Sequence, residues 1–85
     1  MRVTHSLTVR AICPVDQKPD VYTLIVRTTG LLPVEKILEA VESLTKVPTF
    51  QEDLTQALHR ALACEVETQG SHSGVFTVVV CGEEE

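Results

Sequence analysis

Large aromatic side chains are nearly missing: no Trp, one Tyr and two Phe among 85 residues. A chain of that length is one small domain, and a core so short of rings supplies only about 3–5 kcal/mol, so self-association is expected to add the rest. No run of 18 or more apolar residues occurs, which excludes a helical membrane span, and Met1–Thr8 does not read as a secretory signal. Cations are scarce and scattered, seven Lys and Arg against twelve Asp and Glu, for a net charge of −5. Binding to a phosphate backbone needs several cations on one surface, so that mode is disfavoured unless an oligomer gathers them into a stripe. The three cysteines form no CxxC and leave an odd thiol under any pairing, as expected of a reducing, cytoplasmic setting. His5, His59 and His72 have no metal-ligand spacing, and no glycine-rich phosphate loop, GxSxG or GxGxxG is present. No metal is expected.

What is present is ordinary globular patterning, 44 % hydrophobic and 22 % charged, which excludes disorder. Val3, His5, Leu7, Val9, Ala11 and Cys13 share one parity, against Thr4, Ser6, Thr8 and Arg10 on the other, the period of a half-buried strand. Pro14 to Asp20 carries turn chemistry, and Val21–Thr28 is a second strand rich in branched side chains. The two strands make a hairpin with Cys13 and Asp20 at the feet of its loop. Gly30 ends the hairpin and Pro33 suits the first turn of a helix. In that helix Val34, Ile37, Leu38, Val41 and Leu44 form the apolar stripe.

Val47-Pro48 breaks this helix. Thr49-Phe50-Gln51-Glu52 then has capping-box spacing, ahead of a second stripe at Leu54, Ala57, Leu58, Ala61 and Leu62. Cys64–Thr68 and Val75–Cys81 read as strands around a Gly70–Gly74 loop, and residues 83–85 of the single domain 1–85 as a frayed acidic tail. The expected fold is α+β, in the order β-β-α-α-β-β, with an antiparallel sheet, both helices on one face, and copies closing into a barrel that protects the sheet edges.

Cys13 is the first candidate for chemistry. It ends an apolar strand beside a loop, where a substrate can reach its thiol, and Asp20 lies across the loop mouth. From spacing alone, a small buried Cys13 and a turn-forming Asp20 are the simpler account. Cys64 and Cys81 sit among apolar neighbours and read as core filler, and His59 reads as solvent-facing. Glu52 opens a helix, where the dipole favours a carboxylate that can accept two parallel hydrogen bonds from a guanine-like edge. A helix cap explains Glu52 equally well. Phe50 either stacks on a flat ring or staples the helix end.

These residues taken together resemble a known family. Cys13-Pro14 followed by Pro19-Asp20, then an alternating strand, Val34-Glu35-Lys36 and finally Phe50-Gln51-Glu52-Asp53 before a helix resemble the QueF-type 7-cyano-7-deazaguanine reductases, over about Leu7 to Cys81. The resemblance implies the tunnelling fold, in pentameric rings that stack into decamers with sites between subunits. It implies that the Cys13 sulfur adds to the nitrile of 7-cyano-7-deazaguanine to give a thioimide, with Asp20 as acid/base partner. It places the deazaguanine edge on Glu52, with Phe50 and Gln51 beside it.

The departures select among family branches. The reductase signature E-S-K-S-x-K-x-aromatic, associated with NADPH, is here Val34-Glu35-Lys36-Ile37-Leu38-Glu39-Ala40-Val41, with one Lys and no aromatic. Gln51 stands where the family has a histidine, and an amide does not transfer protons. The pattern is closer to the short QueF-like archaeosine synthases, which need no NADPH and resolve the thioimide with ammonia to an amidine. Two alternatives stand beside this reading. One is an NADPH-dependent reductase giving 7-aminomethyl-7-deazaguanine; the other is a non-catalytic purine- or pterin-binding tunnelling-fold protein. The substrate is expected as free base or within nucleic acid such as transfer RNA.

Overall fold

The computed structural model describes residues 1–82, and the 83–85 tail lies outside the described residues. Strands β1 (Arg2–Ile12) and β2 (Pro19–Thr29) form the first hairpin, helices α1 (Val34–Leu44) and α2 (Gln51–Leu62) follow, and β3 (Glu65–His72) and β4 (Val75–Cys81) form the second hairpin. The strands lie in the order β1-β2-β3-β4, all neighbours antiparallel. The expected β-β-α-α-β-β architecture is the one observed.

Alternation decides which face of the sheet is covered. Val9 and Ala11 of β1, Tyr22, Leu24 and Val26 of β2 and Val66 of β3 are buried in one cluster with Ile37 of α1 and Leu54 and Leu58 of α2. Both helices therefore lie on this face. Each fully buried Leu, Ile or Val contributes about 1.5–3 kcal/mol relative to exposure. The opposite face is polar at its centre, where Arg27 bonds Glu65 (2.7 Å) and Glu67 (2.9 Å). It is apolar on β4, whose Phe76 and Val78 are exposed.

Local structure departs from the sequence expectations at six places. The first loop is shorter, Cys13 to Lys18, because Pro19 and Asp20 already pair with Ile12 and Ala11. Pro33 is the N-cap of α1 rather than a residue of its first turn, and its fixed φ with extended ψ leads the chain into the helix. The capping box does not form. Phe50 is the N-cap of α2 and no side chain caps the helix, so Glu52 is its second residue, one short of the position a box requires. Thr49 is drawn away from capping because its N–H donates to the Ile12 carbonyl (3.0 Å).

The second hairpin turns on two residues, not five. Ser73 and Gly74 both have positive φ (52° and 81°), the combination that matches strand twist in a two-residue turn, so β3 runs on to His72. His59 is not solvent-facing: its Nδ1 contacts the Cys64 carbonyl at 2.7 Å beside the left-handed residue Ala63 that ends α2. Cys64 and Cys81 are half-buried, and only Cys64 packs against the main core cluster.

Gly70 is buried under Tyr22, and a Cβ there would lie 2.5 Å from the Tyr22 ring and 3.0 Å from the Val21 carbonyl. The ring is itself buried and hydrogen-bonded to Asp20, so moving it aside carries a cost. Gly70→Ala should therefore destabilise the fold by about 1–3 kcal/mol, the usual cost of overpacking. Urea unfolding measures this, and an unchanged midpoint would contradict the packing described.

Candidate active site

The end of the sheet that holds the first loop carries the chemistry. The Ala11–Asp20 pairing puts Cys13 two residues beyond Asp20's partner, so both side chains point to the helix face. The loop is tied across itself: Cys13 N–H donates to the Lys18 carbonyl (2.9 Å) and Gln17 N–H to the Cys13 carbonyl (2.9 Å). On the other side, β2 pairs with β3 through Thr23–Gln69. Continuing that register brings His72 opposite Asp20, and His72 Nδ1 lies 3.1 Å from Asp20 Oδ1. The other carboxylate oxygen of Asp20 accepts the Tyr22 hydroxyl at 3.3 Å.

The helix wall of the site is the start of α2. Gln51 Nε2 donates to the Thr68 carbonyl (3.2 Å), the Thr68 hydroxyl (3.2 Å) and the Thr77 carbonyl (3.0 Å). Thr55 gives its hydroxyl hydrogen to the Gln51 carbonyl (2.7 Å), so the 2.6 Å bond between Thr55 and Thr68 is donated by Thr68. Both threonines are buried, and this ring of bonds satisfies them. Glu52 and Phe50 project from the turn so held, both exposed.

A cavity of about 250 Å³ separates the two walls, with Cys13, Asp20, Tyr22 and His72 on the sheet side and Phe50, Gln51 and Glu52 on the helix side. All five residues singled out from the sequence thus line one cavity. Cys13 is only 4 % exposed, yet its thiol forms part of this wall and is not sealed in the core. Gln51 is present but its amide nitrogen is committed to the sheet, so it positions the wall.

Sulfur of Cys13, a carboxylate oxygen of Asp20 and a ring nitrogen of His72 all lie within 4.8 Å of one another. Thiol, carboxylate and imidazole together can relay a proton, and the same donor set is one that a thiophilic cation accepts. Asp16 adds negative charge in the first loop. Its carboxyl is held below the usual carboxylate range by the Lys18 N–H on Oδ1 (3.0 Å), with a further contribution from the Cys13 thiol. Tyr22 is pushed up to about 12, first by burial and then by the neighbouring Asp20 charge.

His72, Tyr22 and Asp16 were not among the site residues legible in the sequence. The Gly- and Ser-rich composition of 70–74 conceals His72 as a loop residue. The signal that finds it is Ser73-Gly74 as a two-residue turn, for then the parity of Val66, Thr68 and Gly70 carries His72 onto the helix face. A second, larger groove of about 610 Å³ lies at the far end of the sheet, around Arg2, Arg27, His59 and Cys64. Arg27 is there neutralised by its two glutamates, and burial pushes the Cys64 thiol up, away from the reactive thiolate.

No protein-family model matches the chain, and no curated protein matches it. Among solved structures, the crystal structure of the archaeosine synthase QueF-Like in the apo form is similar with a TM-score of 0.80, over 94 % of this chain and 90 % of that one, at 20 % sequence identity. The fold is QueF-like. At that identity the likeness speaks for the fold, and the chemistry rests on the residues of this chain.

Tyr22 is the sole tyrosine, so its ionisation is directly readable in the ultraviolet. The folded protein should titrate near pH 12, well above free tyrosine. Between the two values the unfolded chain has lost a proton that the folded one keeps, so stability falls as pH rises through this window. A midpoint near 10 in the folded protein would contradict the buried, Asp20-linked phenol.

Proposed function

We propose that this protein is a QueF-like enzyme of 7-deazaguanine modification, in which Cys13 adds to the nitrile of 7-cyano-7-deazaguanine and ammonia resolves the product to an amidine. The observation that carries this reading is the convergence of Cys13, Asp20 and Glu52 on one cavity of a QueF-like fold. In the first step the S–C bond forms at the nitrile carbon, the thiol proton leaves sulfur, and one proton reaches the nitrile nitrogen. The product is a covalent thioimide. In the second step ammonia adds to the thioimide carbon, the C–S bond breaks, and amidine and free thiol result. Neither step changes the oxidation level.

Glu52 is assigned to recognition. It makes no cap bond that would occupy it, and an ionised carboxylate at a helix start accepts both the ring N–H and the exocyclic amine of a guanine-like edge. Phe50 beside it offers a stacking face. Asp20 belongs to the acid/base apparatus that serves the thiol, and its two carboxylate oxygens are engaged by Tyr22 and His72.

NADPH does not fit as well as ammonia. Among the described residues, α1 contributes none to the cavity, and it carries Lys36 without a second lysine or an aromatic residue. The reductase remains the alternative reading, and a non-catalytic binder of purines or pterins the other. We further propose a cytoplasmic homo-oligomer built of pentameric rings, with free base or nucleic acid as substrate. Within the chain, β1 and β4 are sheet edges, and the exposed Phe76 and Val78 add apolar surface next to one of them.

Incubation with 7-cyano-7-deazaguanine should raise the intact mass by one ligand, and Cys13→Ala should abolish the gain. Ammonium should release an amidine, whereas oxidation of added NADPH would favour the reductase. Absence of any adduct would leave the binding-only reading. Glu52→Gln should weaken base affinity about 10- to 100-fold, the worth of a charged hydrogen bond, while stability changes by less than about 0.5 kcal/mol. A large loss of stability with intact binding would return Glu52 to a structural role.

A further inference from the structure

Thioimide chemistry moves protons in both steps, so the site needs a group that both takes and gives a proton. In water a thiol ionises near 8.5, a carboxylic acid near 3.9 and an imidazolium near 6.5. An ordinary carboxylate therefore takes a thiol proton against an equilibrium of about 4 × 10⁴, an imidazole against one of about 100. Gln51 has no proton to relay, and its amide nitrogen is spent on the sheet. Among the described residues one imidazole lines the cavity, that of His72.

We infer that His72 is the proton carrier of this site, with Asp20 as the group that fixes its tautomer beside Cys13; this rests on the nitrile-addition reading. A carboxylate oxygen accepts, so the 3.1 Å contact with Asp20 Oδ1 is an Nδ1–H donation, which leaves the lone pair on Nε2. Asp20 is itself held, since its second oxygen accepts the Tyr22 hydroxyl. A ring nitrogen of His72 lies within 4.8 Å of the Cys13 sulfur. The imidazole is half-exposed, so it exchanges protons with water, whereas the Asp20 side chain is largely buried.

The proton count closes. During addition His72 takes the thiol proton as sulfur bonds to the nitrile carbon, then gives it to the nitrile nitrogen. During aminolysis the nitrogen that has added carries a surplus proton. His72 takes it and hands it to the departing sulfur as the C–S bond breaks. The imidazole ends each half neutral, as it began.

Two readouts test this, one of which needs no nitrile. Iodoacetamide labelling, read peptide by peptide at neutral pH, compares Cys13 with Cys64 and Cys81 in the same molecule. His72→Gln, which keeps a donor for Asp20, should slow Cys13 labelling at least 10-fold and leave the other two unchanged. In the adduct assay the same variant should react about 10²- to 10⁴-fold more slowly, the usual contribution of a general base, with affinity for guanine unchanged. Added imidazole should restore His72→Ala. Equal labelling and equal adduct rates in wild type and His72→Gln would overturn the proposal. So would restoration of either variant by Zn²⁺ rather than by imidazole, which would make His72 a metal ligand. If labelling responds to His72 but wild type forms no adduct, the proton carrier stands and the nitrile reading falls.

Discussion

The seating of the first turn of α2 on the sheet is the constraint on which the site depends. Gln51 reaches both strands of the second hairpin through one amide nitrogen, and Thr49 reaches the end of β1 through its backbone N–H. The first tie binds the helix to β3 and β4, the second binds its lead-in beside Cys13. A hydrogen bond is worth about 0.5–1.5 kcal/mol net, but leaving the buried Thr55 and Thr68 hydroxyls unpaired would cost about 1–3 kcal/mol each. That asymmetry makes the anchor stiff. Glu52 and Phe50 therefore stand across the cavity from Cys13, over a gap whose width the sheet sets.

The sheet side is set by registers of two hairpins. The Cys13–Lys18 loop closes on itself, so the Ala11–Asp20 pair and the Cys13 thiol keep their spacing. The two-residue Ser73–Gly74 turn carries β3 far enough to place His72 opposite Asp20. Gly70 completes this wall by letting the Tyr22 ring approach the β3 backbone closely while its hydroxyl reaches Asp20. Each catalytic candidate thus comes from a strand end or a helix start, and none depends on a long loop. Such positions are fixed by backbone ladders, and precision is available even to a domain with a small core.

Much of this was readable in the sequence because period-two and helical patterns are strong here. The β-β-α-α-β-β order, the placing of Cys13 and Asp20 at the feet of one hairpin loop and the position of Glu52 on a helix start all follow from local rules. What escaped was decided by competition between partners. Thr49 looks like a cap, but its N–H is taken by Ile12, and the N-cap falls one residue later, on Phe50, with no side-chain cap. His59 looks exposed on a polar helix position, but the left-handed Ala63 brings the Cys64 carbonyl to it. His72 looks like a loop residue because Gly, Ser and His cluster there, and only the turn's backbone shows that three of those residues are strand. The first case turns on a tertiary contact, and the other two on left-handed backbone residues that neither composition nor periodicity displays.

Gln51 and His72 are best understood as a division of labour. One side chain cannot both anchor α2 by donating to three acceptors on the sheet and carry protons, because a group that shuttles must break its bonds in every cycle. A glutamine at position 51 never titrates, so the helix wall stays still whatever the state of the sulfur. The titrating group sits on the opposite wall, half-exposed, where a proton can come and go without disturbing the core. Asp20 links the two demands: one oxygen faces the buried phenol of Tyr22 and the other the exposed imidazole. Charge that arises on His72 is met by a carboxylate already in place, and the anchor on the far wall need not move.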